Sequence, residues 1–119
     1  MKRILVVDDS TFQRIMVAKM VTDAGYEAQT AQNGRECLES LQKQQVDLVL
    51  LDLNMPEMDG LQVLEHMSAK EQELQVPVIV LTADIQDSTR KRCMDLGVEA
   101  VLNKPPKQAE LVSEVEKLL

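Results

Sequence analysis

Short apolar runs alternate with longer amphipathic stretches along this chain. Arg3–Val7, Val46–Leu51, Val76–Leu81 and Glu99–Asn103 are short and rich in β-branched or aliphatic residues. The second and third are nearly continuous, broken only by Asp47 and Pro77, as expected of strands covered on both faces. Tyr26–Thr30 is a weaker run that fits an edge strand.

The stretches between them carry helical spacing with readable ends. The first helix places Phe12, Met16, Val17, Met20, Val21 and Ala24 on one face and stops at Gly25, a left-handed residue after its end. Asn33 with Glu36, and Asp59 with Gln62, are capping-box pairs that open the second and third helices. Asp87 or Ser88 caps the fourth, which ends at Gly97. Pro106 suits the first turn of the fifth, whose buried face is Leu111, Val112, Val115, Leu118 and Leu119. Strand–helix alternation of this kind predicts right-handed crossovers and a parallel sheet with helices on both sides. The reading is one doubly wound α/β domain over residues 1–119.

Composition sharpens the picture. A length of 119 residues suits one core, and 45% apolar residues suffice to build it. Phe12 and Tyr26 are the only aromatics, so the core is aliphatic. A formal charge of −7 argues against direct nucleic-acid binding, which uses a basic face, and no basic amphipathic stretch points to a membrane surface. Ile4–Val7 is too short an apolar run for a signal segment or a span, so the expected location is the cytoplasm. Cys37 and Cys93 lack metal-site spacing and fall on apolar helix faces, as buried free thiols of a reducing compartment do.

In an open parallel sheet, ligands bind beyond the carboxyl ends of the strands, where strand order reverses. Asp8 and Asp9 follow the first strand, Asp52 the third, Thr82 the fourth and Lys104 the fifth. Alone, each aspartate would read as a turn former, Thr82 as a capping hydroxyl and Lys104 as a solvated cation. Together they aim polar groups from four strands at one edge. Three gathered carboxylates repel one another unless cations intervene. Lys104 and a divalent ion would balance them, and an all-oxygen ligand set with phosphate chemistry favours Mg²⁺. Asp52 could then act as a nucleophile toward phosphorus, with Lys104 and Thr82 stabilising the transferred group as an aspartyl phosphate.

These residues carry a family resemblance. From ILVVDDS at Ile4–Ser10, through DLVLLDLNMPEMDGL at Asp47–Leu61 and PVIVLTA at Pro77–Ala83, to NKP at Asn103–Pro105, the chain resembles the receiver domain of two-component response regulators. The nearest type is the single-domain one of chemotaxis signalling. The resemblance implies a flavodoxin-like sheet in the order 2-1-3-4-5. It implies Asp52 as phosphoacceptor, Asp9 as a direct metal ligand, Asp8 as one acting mainly through water, and Asn54 as a ligand through its backbone carbonyl. Mg²⁺ is the cofactor, with Mn²⁺ as a substitute. Thr82 and the Ala83 N–H would hold the phosphoryl group, Lys104 would pair with it, and the Lys104–Pro105 bond would be cis. Met55–Pro56 and Asp59–Gly60 would shape the loop above the site, and Asn54 and Asp84 would influence how fast the phosphoryl group is lost.

Such a domain catalyses only its own phosphorylation and dephosphorylation. Its implied partners are a histidine kinase or histidine phosphotransfer protein docking near the first helix, and a protein target at the fourth-helix, fifth-strand and fifth-helix face. Arg90–Arg92 is a basic cluster on that face, read here as solvated helix surface. One departure stands out: Val101 occupies the position, three before Lys104, where receivers commonly have Tyr or Phe. Signalling would therefore rest on backbone movement after Thr82 and around Asp87–Leu96. Two alternatives were weighed. A haloacid-dehalogenase-type phosphohydrolase would want a second acid two residues after Asp52, where this chain has Asn54. A domain that stores or relays phosphate would share the chemistry and differ in output.

Overall fold

The computed structural model describes residues 1–55, 59–71, 76–83 and 86–119 and, of residues 68–71, the backbone alone. Its strands are β1 (Arg3–Val7), β2 (Glu27–Ala31), β3 (Leu48–Asp52), β4 (Val78–Thr82) and β5 (Ala100–Asn103). They alternate with α1 (Thr11–Asp23), α2 (Gly34–Lys43), α3 (Gly60–Glu71), α4 (Asp87–Asp95) and α5 (Gln108–Leu118). All strands pair in parallel in the order β2-β1-β3-β4-β5, with the weak β2 at an edge as expected.

β3 and β4 begin two residues later than their apolar runs. Asp47 Oδ2 accepts the Arg3 N–H at 2.7 Å, so a side chain takes the place of a ladder carbonyl there. Pro77 has no N–H to contribute to a ladder. In consequence Asp52 and Thr82 are the last residues of their strands rather than the first residues beyond them.

Alternation along the strands sorts the side chains into two layers. Leu5, Val7, Val49, Leu51, Val78, Val80 and Val101 pack with Cys37 of α2, Val63, Leu64 and Met67 of α3 and Cys93 of α4. Ile4, Val6, Leu48, Leu50, Ile79, Leu81 and Leu102 pack on the other face with Val17 and Val21 of α1 and Leu111 and Val115 of α5. Burying a side chain of this size stabilises the fold by about 1.5–3 kcal/mol. The interior is aliphatic and both cysteines are buried and free, burial pushing the Cys37 thiol up to about 12.

The helix ends follow local rules with several corrections. Gly25 (φ 98°) and Gly97 (φ 97°) are left-handed as expected. Asp59 and Gln62 form a reciprocal box, each side chain accepting the other's N–H at 2.9 Å. Asn33 Oδ1 accepts the Glu36 N–H at 2.8 Å, but Glu36 reaches back to the Gln32 N–H. Neither Asp87 nor Ser88 caps α4: both lie within its first turn, and Gln86 is the cap residue. Their carboxylate and hydroxyl still sit at the favourable, positive end of the helix dipole. Pro106 precedes α5 rather than opening it, because Lys107 holds an extended backbone (ψ 136°) and the helix starts at Gln108. Phe12, placed on the buried face of α1 by its spacing, is 74% exposed. On α1 the core takes up Val17 and Val21, with Ala18 and Met20 partly buried against it, and Phe12, in the first turn, lies outside that stretch.

Candidate functional site

The register of the sheet assembles the site. β1 and β3 pair Val7 with Leu51, so the next residues, Asp8 and Asp52, leave the sheet side by side. β4 and β5 pair Thr82 with Asn103, which brings Lys104 to the same edge. This is the point where β1 has β2 on one side and β3 on the other, the reversal at which such sheets bind ligands.

Lys104 Nζ lies 3.0 Å from Asp8 Oδ2 and 3.1 Å from Asp52 Oδ2. Asp8, Asp52 and Thr82 are 3%, 1% and 1% exposed, whereas Asp9 faces solvent. Asp8 Oδ1 accepts the Ser10 N–H at 2.9 Å, and Asp52 Oδ1 accepts the Asn54 N–H at 3.2 Å. Asp52 Oδ2 meets the Lys104 ammonium, which it shares with Asp8 Oδ2.

The electrostatics follow from this crowding. Burial first, and the charge of Asp8 second, push Asp52 from 3.8 up to about 6, against the pull of Lys104 and the Asn54 N–H. Burial opposes the charge on Lys104, but the two aspartates outweigh it and raise its pKa. The site is thus an acidic pocket with one ammonium, short of positive charge.

A divalent cation fits that shortage. One carboxylate oxygen from each of Asp8, Asp9 and Asp52 lies within 4.8 Å of the others. The donors are all hard oxygens, and the buried Asp8 and Asp52 have a single ammonium to share between them.

Other expected residues fall around this centre. Asn54 and Ala83 are exposed and follow Asp52 and Thr82 out of the sheet, and the Lys104–Pro105 bond is cis. Met55 is buried, while Pro56 and Asp84 lie outside the described residues. Val101 is buried in the layer that holds Cys93 and Val98. Arg90, Lys91 and Arg92 are exposed, as expected of solvated helix surface; Arg92 also pairs with the exposed Glu65 of α3 at 2.9 Å, and Arg90 Nη2 approaches the Val101 carbonyl at 3.5 Å.

Two contributors escaped the reading of the sequence. Ser10 caps α1, its Oγ accepting the Gln13 N–H at 3.3 Å, and the Ser10–Gln13 spacing was the available signal. Arg14 Nη1 donates to the Asp8 carbonyl at 2.8 Å, a long-reach contact with no local signature. Gly60, expected to help shape the loop above the site, lies against the backbone of Asp52 and Leu53.

Known proteins resemble this chain in sequence and in fold. The family model described as response regulator receiver domain matches residues 4–116. The sensor histidine kinase RcsC of Escherichia coli K12 is 37% identical over 102 residues, covering 86% of this chain but 10% of that protein. The chain therefore spans about a tenth of the length of that curated relative. The chemotaxis protein CheY4 of Vibrio cholerae superposes with a TM-score of 0.91 at 33% identity, covering 100% of this chain and 99% of that one. TrrA of Thermotoga maritima, solved in complex with Mg²⁺–BeF, gives 0.87 at 35% identity, covering 100% of both chains. Among the described residues, no helix is long and apolar enough to cross a membrane.

Proposed function

The chain belongs to the response regulator receiver domain family, and on that premise we propose that residues 1–119 act as one cytoplasmic receiver that accepts a phosphoryl group on Asp52 and signals by phosphorylation-dependent protein binding. The observation that carries this reading is the buried Asp52 carboxylate, set beside Asp8 with a single ammonium, that of Lys104, shared between the two.

Asp8, Asp9 and Asp52, with the Asn54 backbone carbonyl, would hold Mg²⁺, and Mn²⁺ would substitute. When bound, the ion supplies positive charge that offsets the carboxylates and the phosphoryl oxygens. An Asp52 oxygen forms a bond to phosphorus as the P–N bond to a donor imidazole breaks, the donor being a histidine kinase or phosphotransfer protein. Lys104, already against Asp52, meets the added charge, and the Thr82 hydroxyl and the Ala83 N–H donate hydrogen bonds to the phosphoryl oxygens. The domain promotes its own phosphorylation and its own dephosphorylation, with Asn54 and Asp84 setting the lifetime, and turns over no external substrate.

The test is direct. With Mg²⁺ and acetyl phosphate, the intact mass is expected to rise by one phosphoryl group, and EDTA is expected to prevent it. No adduct after rapid acid quenching, together with no thermal stabilisation by Mg²⁺, would overturn the reading.

Output is proposed to leave through α4, β5 and α5. Val101 is buried and lacks an aromatic ring to swing, so the change is carried by the backbone after Thr82 and by α4. Phosphorylation is expected to shift the amide resonances of Thr82, Ala83 and Asp87–Leu96. Resonances unmoved across that segment in a fully phosphorylated sample would sink this route.

A further inference from the structure

We propose that Arg14 is a positioning residue for the metal-binding carboxylates, acting on Asp9 through the main chain of Asp8. The inference rests on the reading that Asp8, Asp9 and Asp52 hold Mg²⁺.

The contacts of Asp8 set up the argument. Its N–H donates to the Ala31 carbonyl at 3.1 Å, Oδ1 accepts from the Ser10 N–H at 2.9 Å, and Oδ2 meets Lys104 Nζ at 3.0 Å. Its remaining polar atom, the carbonyl oxygen, accepts from Arg14 Nη1 at 2.8 Å. That carbonyl shares a rigid peptide plane with the nitrogen and Cα of Asp9. Holding it therefore fixes where the Asp9 Cα, from which the side chain departs, sits relative to Asp8.

Asp9 is the member of the trio that most needs such help. Asp8 and Asp52 are buried at the ends of paired strands, while Asp9 is exposed and one residue further from the sheet. Arg14 itself is well anchored. Its N–H bonds the Ser10 carbonyl at 2.9 Å in the first turn of α1, its side chain is half-buried, and Nη2 lies 3.4 Å from Thr11 Oγ1.

The choice of partner is informative. A guanidinium beside carboxylates gains most from a carboxylate oxygen, through a charged, often two-pronged pairing. Arg14 instead spends its short hydrogen bond on a neutral carbonyl and leaves the acidic oxygens of the trio to Lys104 and to a cation. Its role at the site is geometric.

Geometry and charge predict opposite outcomes when Arg14 is removed. Loss of a nearby positive charge, by itself, would tighten cation binding to three carboxylates. Loss of positioning would weaken it, as removal of outer partners of metal ligands does. The experiment is calorimetric titration of MgCl₂ into the full chain for wild type, Arg14→Met, Arg14→Gln and Arg14→Lys, with metal-free unfolding midpoints recorded in parallel. Arg35→Met serves as control, because Arg35 lies on α2 with Glu39 as its partner at 4.0 Å.

Arg14→Met and Arg14→Gln are expected to bind Mg²⁺ about tenfold more weakly with little change in the metal-free midpoint. Arg14→Lys, which keeps a donor and the charge, should recover part of that loss, and the control should match wild type. Equal or tighter binding in Arg14→Met overturns the proposal. Should that variant not fold, equal or tighter binding in Arg14→Gln does so. A wild type that binds no Mg²⁺ overturns the underlying site reading, and the proposal with it.

Discussion

In EDTA at pH 7, Asp52→Asn is expected to be more stable than the wild type by about 2 kcal/mol while accepting no phosphoryl group. The stability gain follows from the strain of ionising Asp52 in place. Burial and the neighbouring Asp8 raise its pKa from 3.8 to about 6. The folded protein therefore holds this proton more tightly than the unfolded chain does. Stability from the group is present in full below about pH 4, and is lost as the pH rises through about 6. That displacement corresponds to roughly 3 kcal/mol at neutral pH. The variant recovers about 2 kcal/mol of it, because its amide nitrogen or oxygen must mismatch either Lys104 or the Asn54 N–H. The difference between the two proteins should vanish near pH 4 and open toward pH 7. Added Mg²⁺ should stabilise the wild type and reverse the order. Urea unfolding at both pH values checks the sign, and intact mass after acetyl phosphate checks the chemistry. A variant no more stable at pH 7 than at pH 4, relative to wild type, would show that Asp52 ionises without penalty.

Gly60→Ala is expected to cost about 3 kcal/mol and to weaken Mg²⁺ binding. A Cβ on Gly60 would meet Asp52 O at 2.6 Å, Leu53 Cα at 2.7 Å and Leu53 Cδ2 at 2.8 Å. Two of those atoms are main chain, so no rotamer change relieves the clash. The backbone at Gly60 is not left-handed, and its glycine is required by space rather than by conformation. The Gly60 N–H also donates to Leu53 O at 2.9 Å, tying the start of α3 to the residue after Asp52. Pushing α3 away must therefore move Asp52. Gly25→Ala is the comparison: at φ +98° it meets no atom within 4 Å, so only backbone strain applies, about 1 kcal/mol. Equal losses for the two variants in urea unfolding, with Mg²⁺ affinity unchanged, would refute the close-approach argument.

Much of the architecture was legible because the inner strands are apolar on both faces and most helices on one. Arg3–Val7 was placed to the residue. β3 and β4 start two residues later and end one residue later than their apolar runs, and at their starts Asp47 and Pro77 alter the ladder through a long-range hydrogen bond and a missing donor rather than through hydropathy. Caps made by contiguous residues were readable, as Asp59 and Gln62 show. The starts of α4 and α5 were not, because competing cap residues stand side by side and the path of the incoming chain selects among them. Phe12 misled for a related reason. Periodicity tells which residues share a helix face but not how far along the helix the sheet covers it.

At the site, the positions of Asp8, Asp9, Asp52, Thr82 and Lys104 at strand ends are a property of the sequence itself, since strand–helix alternation sends every strand's carboxyl end to one edge. The sequence likewise sets the acidic balance, the all-oxygen donor set and the aliphatic core. What only the tertiary structure decided is how those groups share charge and space. Lys104 bridges Asp8 and Asp52, which lie 44 residues apart in the chain, because the register β2-β1-β3-β4-β5 makes their strands neighbours. Burial then separates exposed Asp9 from buried Asp52 and raises the latter's pKa. Arg14 joins the site through a contact with a main-chain atom, which any residue supplies, and so left no trace in the pattern of side chains.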